Sequence, residues 1–133
     1  MKLTRAADYG IRLLTHLASY KKENNTTAEL ATRLGIPFNH MAKLVHILSK
    51  KGFLLTRKGK GGGIKIALNP KDISMYDVIY AIEGSVVLSD CILHQDICPF
   101  GKKCKVRKVF SLISGNMEKM LSSTRISDLT FSN

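Results

Sequence analysis

Three cysteines stand at Cys91-x6-Cys98-x5-Cys104, with Pro99 directly after the second. Thiolates are soft donors that suit zinc or an iron–sulfur cluster, and three of them in one short segment are typical of a metal site. His94 lies between the first two, so a Cys3His set closing a tetrahedral structural zinc site is also available. Spacing alone leaves zinc and iron–sulfur level. An odd number of cysteines argues against a disulfide framework and keeps cluster-free redox thiols as a further reading.

A second group of residues has polar rather than metal chemistry. Asn39, His40 and Lys43, with His46 beyond them, fall on the side of a helical segment opposite its apolar positions. Asparagine can bond both hydrogen-bonding groups on the adenine edge, and lysine can donate to guanine O6 and N7, so this face suits the DNA major groove. Further on, Arg57, Lys58 and Lys60 flank a run of glycines, where the backbone can approach a phosphate chain or a minor groove closely. The glycines of Lys58 to Gly63 do not form a nucleotide-binding loop, because no GK[ST] follows and the flanks read as strands.

Charge supports an acidic partner. The formal net charge is +11 over 133 residues, and from Leu30 to Lys71 there is no Asp or Glu against nine Lys and Arg. Such concentration within one window is an electrostatic footprint for nucleic acid. No stretch approaches the roughly 18 consecutive apolar residues of a membrane span, and Met1 to Tyr20 is broken by Arg5, Asp8, Arg12 and His16, so a cytoplasmic location is expected. No nucleophile, base and oxyanion donors converge in a motif, which argues against an enzyme.

The elements that must position these residues can be read from caps and periods. Thr4 opens a helix over about Arg5 to Tyr20, in which Gly10 suggests close approach of another backbone or a ligand. Thr26 and Glu29 form a capping-box pattern for a short helix ending at Gly35. After Ile36-Pro37, the stripe Phe38, Met41, Leu44, Val45 and Leu48 predicts a second helix closed by Gly52. Two helices joined by this tight turn are a helix-turn-helix. Phe53 to Arg57 and Ile64 to Leu68 read as the strands of a basic wing. Ser74 and Asp77 start a helix that Gly84 stops. A longer helix from Cys104 to about Ser123 carries one stripe of Val106, Val109, Phe110, Ile113, Met117, Met120 and Leu121. That stripe is either laid on the chain's own domain or paired with a second copy, and pairing is the preferred reading.

The combination resembles the Rrf-two-type winged helix-turn-helix iron–sulfur regulators, the IscR/NsrR family. Met1-Lys2-Leu3-Thr4, Asp8-Tyr9-Gly10-Ile11-Arg12, Asn39-His40-Met41-Ala42-Lys43, Gly61-Gly62-Gly63, Ala81-Ile82-Glu83-Gly84 and the three cysteines occur in family order across nearly the whole chain. The resemblance implies a 2Fe-2S or 4Fe-4S cluster near a dimer interface, ligated by Cys91, Cys98 and Cys104 and by one non-cysteine residue. IscR-like members place a histidine three residues after the third cysteine, where this chain has Arg107. The nitric-oxide-sensing branch, NsrR, can borrow an acidic residue of the first helix from the partner subunit. Asp8 holds the matching position, and Arg12 one turn on could orient it. Family wings commonly carry arginine before the first glycine; here Lys58 stands there, with Arg57 preceding it.

The expectation is a mainly α fold with a small β wing. Residues 1–84 form the winged helix-turn-helix DNA-binding domain, 85–104 a cysteine loop, and 105–133 a dimerisation helix and tail. The expected function is a homodimeric repressor of a double-stranded DNA operator, responding to nitric oxide or an oxidant through an iron–sulfur cluster. The alternative is a regulator with a structural Cys3His zinc site or cluster-free redox thiols.

Overall fold

The computed structural model describes residues 2–22, 24–94, 96 and 98–131, so Met1, Glu23, Gln95, Ile97, Ser132 and Asn133 lie outside the described residues. Among them, no helix is long and apolar enough to cross a membrane.

Helix α1 (Arg5–Ser19) begins where the Thr4 hydroxyl accepts the Ala7 N–H, satisfying one of the amides that a helix start leaves without partners. Its inner face is Ala7, Gly10, Leu13, Leu14 and Leu17. Helix α2 (Thr27–Leu34) has both halves of its capping box: the Thr26 hydroxyl takes the Glu29 N–H, and the Glu29 carboxylate takes the Thr26 N–H. The chain leaves α2 at Gly35, with φ of 65°, a left-handed turn that an L side chain adopts at a cost. The Ile36 N–H then bonds back to the Ala31 carbonyl at 2.9 Å, closing the turn into helix α3 (Phe38–Lys50).

Met41, Leu44, Val45 and Leu48 of α3 are buried as their spacing demands. Phe38 departs from the expected stripe. It lies only about 70° around the helix from the centre of that stripe at about 100° per residue, yet it is 55% exposed. The reason is position along the axis. The first turn of α3 overhangs the core, and beside the ring lies an open hollow walled by Ala28, Thr32, Gly35 and Ile36.

Strands β1 (Leu54–Thr56) and β2 (Ile64–Ile66) pair antiparallel, with Leu54 opposite Ile66 and Thr56 opposite Ile64. Both are shorter than the apolar runs that predicted them, β1 by Phe53 and Arg57 and β2 by Ala67 and Leu68. Helix α4 (Met75–Glu83) has a complete Ser74–Asp77 capping box and ends at Gly84, φ 86°. It packs on α1 so closely that a side chain at position 10 would run into Ile82 Cδ1. Gly10 therefore serves helix–helix contact rather than a ligand.

Helix α5 (Lys105–Ser123) packs on α4, and the chain after it runs back along the start of α4. The Met75 N–H bonds the Thr124 carbonyl at 2.9 Å, the Ile126 N–H bonds the Ile73 carbonyl at 2.8 Å, and Ile126 is fully buried with Leu13, Leu14, Leu30, Met41, Leu48 and Ile73. After the helix, the tail joins the core of the winged domain through Ile126 and Leu129. The helix itself divides. Phe110, Ser114, Met117 and Leu121 face the chain's own body, whereas Val106, Val109, Leu112, Ile113 and Met120 are exposed, Met120 by 72%. What reads as one apolar stripe is two.

His16 near the end of α1 is buried, lies tilted against the Tyr20 ring at 4.8 Å between centroids, and has its pKa lowered, first by burial and then by the nearby Arg33 charge. The folded protein favours neutral imidazole more than the unfolded chain does. As pH falls through the ordinary value of 6.5, the unfolded chain takes up the proton first. Stability is therefore expected to be complete above about pH 6.5 and to fall below it until the folded-state pKa is passed. Urea midpoints from pH 5 to 8 will show this slope, and His16→Phe should reduce it.

Candidate nucleic-acid interface and cysteine loop

The recognition face of α3 is set by what its opposite face buries. With Met41, Leu44, Val45 and Leu48 inward, Asn39, Lys43 and His46 point outward, and all three are exposed. His40 is also exposed, but its ring centroid is 6.3 Å from that of Tyr9 on α1, which places it on the flank toward α1. No acidic side chain interrupts this surface from Leu30 to Lys71.

The wing stands beside it. The Arg57 N–H bonds the Gly63 carbonyl and the Gly62 N–H bonds the Gly59 carbonyl, both at 3.0 Å, with Gly59 and Gly61 at positive φ. Arg57, Lys58 and Lys60 are all exposed on this tight loop, so their charges reach solvent. Sequence reasoning missed what holds the wing. Asn25, 3% exposed, donates its amide to the carbonyls of Lys22 (2.6 Å) and Ile64 (3.1 Å), and its own carbonyl accepts the Ile64 N–H (2.8 Å). Gly63 lies against the backbone of Asn24, where no side chain would fit. A single asparagine between helices has no local signature, since its partner is 39 residues away.

The cysteine loop follows Gly84. Cys91 lies in a short 3-10 turn (Asp90–Ile92), where its Sγ donates to Ser89 Oγ at 3.3 Å. A second such turn (Gly101–Lys103) joins Cys98 to Cys104: the Gly101 N–H bonds the Cys98 carbonyl, and the Cys104 N–H bonds the Gly101 carbonyl. Cys104 is the N-cap of α5, its sulfur accepting the Arg107 N–H at 3.4 Å. Ser114 Oγ accepts the Leu88 N–H at 2.9 Å and pins the start of the loop to α5.

All three thiols are free and half-buried. Their chemistry fits a thiophilic metal, since the loop offers soft donors with partial shelter from water. As folded, the loop does not bring them to one centre: among the described residues, no three His, Cys, Asp or Glu side chains gather in a metal-holding group. His94 is exposed and is not drawn into such a group either. Arg107 has a buried Nε with no hydrogen-bond partner among the described residues, and a guanidinium, always protonated, is no ligand for a metal. On α1, Arg12 Nε donates to Asp8 Oδ1 at 3.1 Å; both side chains are accessible, so this carboxylate can be reached from outside the protomer.

Comparison with known proteins covers nearly all of this chain. Residues 3–131 match the Rrf2 family, described as iron-dependent transcriptional regulators. The HTH-type transcriptional regulator NsrR of Halalkalibacterium halodurans is 33% identical over 111 residues, 82% of this chain and 76% of its own length. Protein rrf2 of Nitratidesulfovibrio vulgaris is 30% identical over 130 residues, covering 97% of this chain and 87% of that one. Among solved structures, the global cysteine regulator CymR of B. subtilis superposes with a TM-score of 0.78 at 22% identity, covering 97% of this chain and 95% of that one. IscR of T. potens superposes equally well, with 22% identity and coverage of 97% and 85%. At such identities the structural likeness establishes the winged-helix fold, and the family match over nearly every residue establishes kinship. The chain is a member of the Rrf2 family of transcriptional regulators, which are not enzymes.

Proposed function

We propose that this regulator is a homodimeric repressor whose operator affinity follows the state of an iron–sulfur cluster sensing nitric oxide or oxidation. The observation that carries the reading is the cysteine loop itself: three free, half-buried thiols in one segment, bonded at one end to the start of α5 and near its middle through Ser114. The relatives named NsrR support the signal. Cys91, Cys98 and Cys104 would hold the cluster, and Asp8 from the partner subunit would supply the oxygen ligand. When bound, such a cluster supplies an oxygen-ligated iron, the corner most open to nitric oxide or an oxidant.

This chain's own residues account for how a change there reaches DNA. Asp8 is followed by Tyr9, whose ring meets His40 on α3, and by Gly10, on which α4 is seated. A displacement of α1 is therefore felt at the recognition helix through packed side chains rather than across a gap. Arg12 holds the Asp8 carboxylate in place one helical turn away. Pairing of the exposed α5 seam would bring two copies together and set the spacing of two α3 helices on a two-fold operator.

Anaerobic purification with iron and sulfide analysis tests the reading. About stoichiometric iron and sulfide with visible charge-transfer absorbance are expected; colourless protein without iron after reconstitution would overturn it. Asp8→Ala is expected to leave the dimer folded and to speed cluster loss in air or nitric oxide, followed as decay of visible absorbance. Unchanged decay would remove the cross-subunit ligand.

One observation favours a second reading. The thiols are not gathered as folded, which suits cluster-free redox thiols better than a preformed structural zinc site. Thiol titration and metal analysis on the same preparation separate these, since zinc protein is colourless but metal-loaded.

A further inference from the structure

Phe38 is the residue that the winged-helix reading leaves without a task. It belongs to no part of the hydrophobic core, is 55% exposed, and opens the helix whose N-terminal residues in this motif reach base edges. One turn on is Ala42, also exposed. At about 100° per residue, Phe38 and Ala42 lie within about 40° of each other, forming an apolar strip directly beside the polar strip of Asn39 and Lys43. The surrounding surface is basic and free of Asp and Glu from Leu30 to Lys71, which suits a duplex rather than an apolar protein partner.

In the major groove the edges of the bases present donors, acceptors and one apolar group, the C5 methyl of thymine. We infer that Phe38 and Ala42 read that methyl, so that the preferred operator carries a thymine next to the base contacted by Asn39. The inference rests on the reading of α3 as the DNA-contacting helix. The division of labour follows from chemistry. Asn39 satisfies hydrogen-bonding groups, and the apolar strip removes the methyl from water at a position where a cytosine would offer only an amino donor and a bare ring edge.

The test uses the intact chain and an operator selected from random duplexes. Each thymine is replaced singly by deoxyuridine, which deletes the methyl and keeps every hydrogen bond. Wild-type protein is expected to lose about fourfold affinity per methyl at one pair of symmetric positions, from the burial of a single methyl. Phe38→Ala should bind the thymine and uracil duplexes alike at that position, and Phe38→Leu should retain part of the discrimination. Three outcomes overturn the inference. If no sequence is selected, the DNA-reading role of α3 fails and this inference falls with it. If a sequence is selected but no thymine is sensitive, the methyl contact alone is refuted. If Phe38→Ala lowers the melting temperature by several degrees and keeps uracil sensitivity, the ring instead packs into the hollow beside α2.

Discussion

Val109→Glu combined with Ile113→Glu is expected to convert the dimer to a monomer and to lower operator affinity by about 10²–10⁴-fold, the factor that separates linked from independent binding. These side chains lie on the exposed seam of α5, which is solvated in the isolated protomer. Each apolar side chain fully removed from water there contributes about 1.5–3 kcal/mol. In a two-fold interface every substitution is made twice, and the four carboxylates would face one another without partners. The inner face of the same helix, with Phe110, Ser114 and Met117, is untouched, so the winged domain should remain folded. Sedimentation equilibrium reads the mass, circular dichroism the fold, and fluorescence anisotropy the affinity. A double variant that remains dimeric would place the interface elsewhere.

Removing the wing charges is expected to have an effect of comparable size but a different signature. Arg57→Gln, Lys58→Gln and Lys60→Gln together should weaken binding to operator and to random duplex alike. The salt dependence of log K should also become shallower by about 0.9 for each DNA phosphate that is no longer neutralised. Because both subunits lose these charges, affinity at moderate salt should fall by about two orders of magnitude or more. Asn39→Ala should behave in the opposite way, costing about 1–3 kcal/mol on the operator alone and leaving the salt slope nearly unchanged. Titrations at three salt concentrations with both duplexes distinguish the two classes. If the wing variant keeps its affinity for random duplex, these three residues do not contact phosphate.

The contrast between these experiments reflects how differently the two halves of the site could be read. The helix-turn-helix half was legible because its signals are local. Capping residues at Thr26 and Glu29, a left-handed glycine at 35 and a regular stripe from Met41 to Leu48 each act within one or two helical turns. Once the inward face of α3 is known, the outward residues follow from the helical period alone. The wing loop was equally plain, since glycine and lysine side by side between two short apolar runs have few other uses. Phe38 shows where this logic stops: periodicity specifies the angle of a side chain around the helix, not whether anything stands opposite it.

The cysteine half was less legible because three thiols state an affinity for soft metals without stating which one. Spacing left zinc and iron–sulfur level, and among the described residues no three ligand side chains gather to decide between them. The structure adds the connections instead, with Cys104 capping α5 and Ser114 holding Leu88.

By itself, the order of residues determined the helices, the wing, the basic window and the set of possible ligands, because caps, periods and charge act over a few residues at a time. Only the tertiary structure decided that Asn25 clips the wing from 39 residues away, that Ile126 returns to complete the core, and that Gly10 makes room for Ile82. It also decided that the single stripe of α5 is two faces, one packed on the protomer and one left exposed. Each of these depends on what lies opposite a residue in space, and that partner is chosen by the packing of the whole chain rather than by its neighbours in sequence.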